Sequence, residues 1–187
     1  MLDNPYYFKW KAAMGIGASM KTQRHMYRYR KRDELVREYA WAVPNENAIK
    51  SIANFTDSIV EIGAGSGYWA WLLRQAGVHV RPYDNNKRTE YIGKRWVRVF
   101  KGDSTSVRKH KDRALMLCWP EYDDPQAYDS LRFYKGDKVI YAGEGGYGCN
   151  ACSKFHESIS DNWTEMKNVM LPQWDGIHDN LRLFSRN

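Results

Sequence analysis

The 187-residue sequence has no apolar run of about 18 residues or more, which argues against a transmembrane helix. Cysteine is scarce, and the odd number of three (Cys118, Cys149 and Cys152) does not make a disulfide framework. A reducing, cytoplasmic compartment is therefore the expected location. Aromatic residues make up 14% of the chain, so it lacks the composition of a disordered protein. These properties predict one globular unit with a buried core.

Two stretches of the chain carry most of its positive charge. Residues 21–39 hold seven basic and three acidic side chains, and residues 87–113 hold ten basic and three acidic ones. The whole chain carries a net charge of +7, so the remainder is mildly acidic. Basic patches attract polyanions, which makes RNA or DNA the first candidate partner. A small phosphorylated ligand and a solubilising surface are the alternatives, and we expect no membrane partner.

The pattern of apolar residues changes at about residue 57. Residues 1–56 are predicted to form an N-terminal helical extension or lid, with a loosely ordered lead-in over 1–28. Residues 57–187 alternate between short strands and helices, which predicts an α/β fold of the doubly wound type. The sheet is expected to be mostly parallel and seven-stranded, with an antiparallel last strand closing a hairpin. The predicted strands are 58–62, 78–83, 96–100, 114–119, 138–142, 163–171 and 180–185.

A glycine-rich turn follows the first predicted strand, at Gly63, Gly65 and Gly67. Glycine permits a positive φ and a close approach of the backbone to a ligand. The turn leads directly into a helix, whose N-terminal amides favour a negative group. It also lies at the carboxyl end of a strand, where open α/β sheets bind their ligands. Its spacing differs from the dinucleotide pattern Gly-x-Gly-x-x-Gly, because Tyr68 takes the place of the third glycine.

This turn, together with Glu61 two residues before it, resembles the first motif of class I S-adenosylmethionine-dependent methyltransferases. The resemblance covers roughly residue 57 to the C-terminus and implies that the protein is an enzyme with S-adenosylmethionine as cofactor. It also implies that Asp84 accepts hydrogen bonds from both ribose hydroxyls and that Asp103 reads the adenine amino group. The cofactor-binding residues implied are Glu61, Gly63, Ala64, Gly65, Gly67, Tyr68, Asp84, Asn85, Gly102, Asp103, Ser104 and Cys118.

The segment after the fourth strand is where this family places residues beside the transferable methyl group. Members that methylate base amino groups have Asp/Asn/Ser-Pro-Pro-Tyr/Phe/Trp there, whereas this chain has Trp119-Pro120-Glu121-Tyr122. The differences argue against standard methylation of a base amine. Tyr122 can still stack on a flat acceptor, and Glu121, Asp123 or Asp124 can serve as a base or bind a cationic acceptor.

A second glycine-rich loop, over residues 143–148, follows the fifth strand and makes Glu144 a candidate for the acceptor pocket. The catalytic candidates are therefore Trp119, Pro120, Glu121, Tyr122 and Glu144. Tyr39, Trp41 and Pro44 of the extension are candidates for a lid over the cofactor.

Cys149 and Cys152, with His156 four residues later, also suggest a zinc site. Structural zinc needs four ligands, and no second pair of cysteines follows, so we expect no metal.

A methyltransferase is the leading functional hypothesis, with nucleic acid favoured as acceptor. The alternatives are a methyltransferase of a small molecule or a protein, and a catalytically inactive cofactor-binding protein of the same fold. A nicotinamide-dependent or flavin-dependent enzyme is disfavoured by the glycine spacing.

Overall fold

The computed structural model describes residues 2–15, 21–89, 92–146 and 148–187. Within these residues, seven strands form a sheet in the order β3-β2-β1-β4-β5-β7-β6. The neighbouring strands pair in parallel except at β7, which is antiparallel to both β5 and β6. The predicted mostly parallel sheet with an antiparallel last strand is confirmed. The strands are β1 (Ser58–Ile62), β2 (His79–Asp84), β3 (Phe100–Lys101), β4 (Ala114–Cys118), β5 (Lys138–Gly143), β6 (Trp163–Met170) and β7 (Asn180–Arg186).

The described helices are α1 (Pro5–Gly15), α2 (Lys21–Glu38), α3 (Glu46–Phe55), α4 (Tyr68–Gln75), α5 (Gln126–Phe133) and α6 (Ser153–Asn162), with a 3-10 helix over Ser104–Lys109. The prediction of a loosely ordered lead-in over 1–28 is wrong, because α1 and the N-terminal part of α2, residues 21–28, lie within it. Tertiary packing explains α1, since Tyr6 is fully buried and stacks on Tyr39 at a centroid distance of 4.9 Å. No described helix is both long and apolar enough to cross a membrane.

The third strand is shorter than predicted and lies further along the chain. The expected strand over 96–100 is replaced by a two-residue strand that pairs with Tyr83 and Asp84. Trp96 instead binds the elements around the glycine turn. Its backbone N–H donates to the Ser66 carbonyl at 2.9 Å, and its indole N–H donates to the Glu38 carbonyl at 2.8 Å. The segment before β3 therefore covers the turn and does not widen the sheet.

Two apolar clusters cover the two faces of the sheet. Alternation along β1 separates them, because Ile59 belongs to one cluster and Val60 and Ile62 belong to the other. The Ile59 cluster also contains buried residues of α1, α2 and α3, so the N-terminal helices pack directly on the sheet. The division into an extension over 1–56 and a domain over 57–187 stays a prediction.

Candidate functional site

A cavity of about 470 Å³ lies at the carboxyl ends of β1 and β4. Its wall is made of the glycine turn, the segments that follow β2 and β4, and the last turns of α2. The structure brings many of the predicted site residues together in this wall. The predicted residues that line it are Glu61, Gly63, Ala64, Gly65, Asp84, Asn85, Cys118, Trp119, Pro120, Glu121 and Tyr122.

The glycine turn has a backbone that only glycine adopts readily. The φ angles of Gly63, Gly65 and Gly67 are +76°, +53° and +76°. Gly63 and Ala64 anchor the turn to β2, because the N–H group of each donates to the Tyr83 carbonyl at 2.9 Å. A Cβ on Gly65 would meet no atom within 4 Å. The turn therefore leaves open space above its middle residue, on the side of the cavity.

Asp84 holds the turn and the next loop at the same time. Its Oδ2 accepts the Gly65 N–H at 2.8 Å, and its Oδ1 accepts the Asn86 N–H at 2.7 Å. A carboxylate oxygen has more than one acceptor position, so each oxygen can accept a further hydrogen bond from a ligand. Asp84 thus fixes an amide at the floor of the cavity and retains acceptor capacity toward it.

Glu61 presents a buried carboxyl group to the cavity. It is only 1% exposed, and its Oε2 has no hydrogen-bond partner among the described residues. Burial, supported by the nearby charge of Asp84 and opposed by Arg74, raises its pKa to about 8. The carboxyl group therefore carries a proton at neutral pH, and one of its oxygens is enclosed by protein without a hydrogen-bond partner among the described residues.

Two stacked indole rings form another part of the wall. Trp41, before α3, and Trp119, after β4, stack at a centroid distance of 4.7 Å with 12° between their planes. Trp119 has a positive φ of +50°, and its indole N–H donates to Asp179 Oδ1 at 2.8 Å. Asp179 is 1% exposed, and burial raises its pKa to about 7 although the indole hydrogen bond opposes the shift. Sequence reasoning missed Asp179, because it lies 60 residues from its partner and belongs to no motif.

An ion pair between Arg88 and Glu121 connects the segment after β2 with the segment after β4. Its hydrogen bond to Arg88 holds the pKa of Glu121 below the usual range despite some burial. Glu121 is therefore ionised at neutral pH. The ring of Tyr122, the next residue, is 68% exposed and lines the same side of the cavity.

Tyr68 and Glu144 lie outside the cavity wall, contrary to their predicted positions. Tyr68 is fully buried, and its hydroxyl donates to Asn4 Oδ1 at 2.9 Å, because α1 covers the start of α4. The carboxylate of Glu144 accepts the N–H groups of Cys149 at 2.8 Å and His178 at 2.9 Å. It therefore ties the loop after β5 to the loop before β7.

Gly67, Gly102, Asp103 and Ser104 also lie outside the wall. The side of Gly67 is covered by Val97, whose Cγ2 would lie 2.7 Å from an added Cβ. Asp103 caps the 3-10 helix, since its Oδ1 accepts the Thr105 N–H at 2.9 Å.

The candidate zinc ligands have other partners. The Cys149 thiol donates to Glu144 Oε2 at 3.0 Å, and a ring nitrogen of His156 contacts the Asn150 carbonyl oxygen at 2.9 Å. Within the described ranges, no three potential metal ligands come together.

Of the lid candidates, Tyr39 and Trp41 line the cavity, whereas the buried Pro44 binds Asn4 Nδ2 through its carbonyl at 2.9 Å. The Tyr39 carbonyl also accepts the Ser66 hydroxyl, so the end of α2 is fixed to the glycine turn.

The strand order and the antiparallel β7, with a glycine turn after β1, define the Rossmann-like fold of class I methyltransferases. A solved structure of a mutant of the protein MtNAS in complex with S-adenosylmethionine is similar over 97% of this chain and 71% of that chain. The identity is 16% and the TM-score is 0.51. Magnesium protoporphyrin IX methyltransferase from Synechocystis PCC 6803, solved with bound SAH, aligns over 97% of this chain and 94% of that chain. The identity is 12% and the TM-score is 0.49.

No protein-family model matches the chain. A stretch of 62 residues, or 33% of the chain, is 37% identical to ribosomal RNA large subunit methyltransferase M of Alkalilimnicola ehrlichii. The matched stretch spans only 17% of the length of that protein.

Proposed function

We propose that the protein is an S-adenosylmethionine-dependent methyltransferase. The observation that carries this proposal is the glycine turn at the floor of the cavity, with its Gly65 amide held by Asp84 at 2.8 Å. A cavity of about 470 Å³ is within the size range of small-molecule sites. S-adenosylmethionine supplies a methyl group on a positively charged sulfur, so the protein mainly has to align the acceptor and exclude water.

The donor and acceptor groups in the wall fit this cofactor. Asp84 retains acceptor positions for two ribose hydroxyls, and Asn85 follows it in the wall. Glu61 offers an unpaired buried oxygen to an ammonium group, which would favour the ionised carboxylate. We assign the acceptor side of the cavity to the segment Trp119–Tyr122, where the exposed Tyr122 ring is a surface for stacking. Glu121, already ionised, is the base or the group that binds a cationic acceptor.

Binding of S-adenosylhomocysteine by calorimetry tests the role of Asp84. We expect Asp84→Ala to weaken binding at least about tenfold, because it removes a charge-assisted hydrogen-bond acceptor and releases the turn. Asp129→Ala is the matched control, since Asp129 pairs with Arg132 on the surface of α5 and does not line the cavity. Equal affinities of the two variants would contradict the assignment.

Nucleic acid is the acceptor that we favour. Both basic stretches reach the cavity, Arg32 from residues 21–39 and Lys87 and Arg88 from residues 87–113. The partial similarity to a ribosomal RNA methyltransferase supports the same acceptor. A cytoplasmic location, expected from the cysteine content, is part of this proposal. A small-molecule or protein acceptor, or an inactive cofactor-binding protein, is the alternative suggested by the unusual Trp119 and Glu121.

A salt series distinguishes these acceptors. Neutralised phosphates release counterions, so the affinity for RNA or DNA should fall steeply as salt rises. We expect this behaviour for a mixed-sequence oligonucleotide measured by fluorescence anisotropy. A flat response, or no binding at low salt, would favour a small molecule or a protein.

A further inference from the structure

Arg32 on α2 lines the cavity but has no part in the cofactor assignments above. Its side chain is only 19% exposed, and its Nε is buried without a hydrogen-bond partner among the described residues. One terminal nitrogen lies 3.5 Å from Asp33 Oδ1, at the upper limit of an N–H···O hydrogen bond. The guanidinium carbon lies 4.8 Å from the centre of the Tyr29 ring. A guanidinium has five N–H donors, so Arg32 keeps unused donors beside a cavity.

Arg32 lines the cavity at a distance from the glycine turn. Arg32, Val36 and Tyr39 line the cavity from one face of α2 and its continuation, at helical spacing. Tyr39 is fixed to the glycine turn through the Ser66 hydroxyl. Arg32 lies two helical turns before Tyr39, which corresponds to about 10 Å along the helix. Arg32 therefore reaches the cavity at a point separated along α2 from the contact between Tyr39 and the turn.

The acidic groups nearest to Arg32 leave part of its charge available to an anion. Its ion-pair partner Asp33 lies 3.5 Å away and is 47% exposed, so water weakens that pair. Lys87 lies in the same wall, where Arg88 is paired with Glu121 and Asp124 accepts the Gln126 N–H. Asp84 already binds two backbone amides, so its charge is directed to the turn. The planar fork of a guanidinium matches the oxygens of a phosphoryl group and can donate two parallel hydrogen bonds.

We propose that Arg32 binds a phosphoryl group of the methyl acceptor at the mouth of the cavity. This inference rests on the proposed methyltransferase function, because it names the chemistry of the acceptor of that site. A phosphodiester strand and a free nucleotide both present this group, and the test distinguishes them.

The test measures the affinity of the full chain for three probes: a mixed-sequence single-stranded oligoribonucleotide, adenosine monophosphate and inorganic phosphate. Arg30→Gln is the matched control for Arg32→Gln, since it removes the same charge from an exposed position of the same helix. We expect Arg32→Gln to weaken binding about tenfold or more, and Arg30→Gln to weaken it less than about threefold. Arg32→Lys should fall between, because it keeps the charge and loses the fork.

The probes identify the source of the phosphoryl group. An Arg32 effect on the oligonucleotide alone supports a polynucleotide acceptor, and an equal effect on adenosine monophosphate supports a nucleotide. Equal effects of Arg32→Gln and Arg30→Gln on all three probes, or no binding of any probe by the wild type, would overturn the proposal. Circular dichroism and thermal melts of both variants verify that the fold is retained.

A second measurement separates this proposal from the proposed function. We expect Arg32→Gln to bind S-adenosylhomocysteine like the wild type. Weaker binding of S-adenosylhomocysteine but not of methylthioadenosine, which lacks the carboxylate, would place Arg32 on the cofactor and overturn the acceptor role. Failure of the wild type to bind S-adenosylhomocysteine would instead contradict the methyltransferase proposal, and Arg32-dependent phosphoryl binding would still be measurable.

Discussion

Glu61 lies in the cavity wall, and Asp179 binds Trp119 of that wall. Both carboxyl groups are almost fully buried, and burial raises the pKa of each, to about 8 and about 7. They differ in their partners. Asp179 accepts an indole hydrogen bond from Trp119, whereas Glu61 has an oxygen without a partner. Asp179 therefore orients an aromatic ring of the wall, and Glu61 is the group whose charge a bound cation would change most.

The buried Glu61 predicts a specific dependence of stability on pH. Its folded-state pKa of about 8 lies above the ordinary value of 4.5, so the folded protein keeps a proton that the unfolded chain releases between these values. Rising pH in that window therefore favours the unfolded chain, by at most about 1.4 kcal/mol per pH unit. We expect Glu61→Gln to gain stability relative to the wild type as pH rises from 5 to about 8, measured by urea unfolding.

The control for this experiment is Asp129→Asn, which changes a half-buried carboxylate that pairs with Arg132 on α5. Its free energy of unfolding should follow the wild type across the same pH range. Parallel pH profiles for the wild type and Glu61→Gln would contradict the assignment of a raised pKa to Glu61.

At the scale of elements, the glycines of the turn share a positive φ but differ in how closely other residues pack against them. Gly65 and Gly67 both have positive φ, but an added Cβ would meet no atom at Gly65 and would lie 2.7 Å from Val97 Cγ2 at Gly67. The middle of the turn is therefore free for a ligand, and its end is closed by the segment before β3.

We expect Gly67→Ala to be more destabilising than Gly65→Ala. Both substitutions cost about 1 kcal/mol for the left-handed backbone, and overpacking adds about 1–3 kcal/mol at Gly67 alone. Urea unfolding measures the difference, and Val97→Ala should recover part of it in the double variant. Equal stabilities of Gly65→Ala and Gly67→Ala would show that Val97 does not constrain the turn.

The elements with local signals could be predicted from the sequence, and those formed by tertiary contacts could not. The alternation of β1 and the glycines after it predict the first strand and the turn, because both are properties of adjacent residues. The helix α1 depends on Tyr6 packing against Tyr39 and Tyr68, which lie far away in the chain. In the same way, the residues before β3 have a strand-like pattern but bind Ser66 and the end of α2.

The candidate site shows the same division between local and distant information. Asp84 was predictable because a family pattern places an acidic residue at the end of the second strand. Arg32 was hidden in a run of basic residues, and only the packing of α2 on the sheet distinguishes it from its neighbours. Glu144 is predicted to lie in the acceptor pocket, but its carboxylate binds the His178 N–H, 34 residues away, and no sequence signal links the two.

At the scale of the whole molecule, the N-terminal helices and the sheet share one apolar cluster. Tyr6 and Ile49 of the extension are fully buried with Ile59 and Met116 of the sheet. We therefore expect one cooperative unfolding transition, with the same midpoint by tryptophan fluorescence and by far-ultraviolet circular dichroism. Two separate transitions would show that residues 1–56 unfold as an independent unit.

Folding also brings positively charged residues from distant parts of the sequence together. The two basic stretches are far apart in the sequence, yet Arg32 of one and Lys87 and Arg88 of the other line the same cavity. The positive charge of both stretches thus reaches one cavity, which Glu61, Asp84, Glu121 and Asp124 also line. In the proposed function, these three cations are the groups that would attract a polyanionic acceptor.

The most direct test of the central claim is a calorimetric titration of S-adenosylhomocysteine into the wild type, Gly65→Arg and Gly77→Arg. Both glycines have positive φ and open space around an added Cβ, but only Gly65 lines the cavity. The two variants should therefore lose similar stability while only one places a side chain in the site. We predict that the wild type and Gly77→Arg bind and that Gly65→Arg does not. Absence of binding by the wild type at millimolar ligand, or equal binding by both variants, would contradict a cofactor site at the glycine turn.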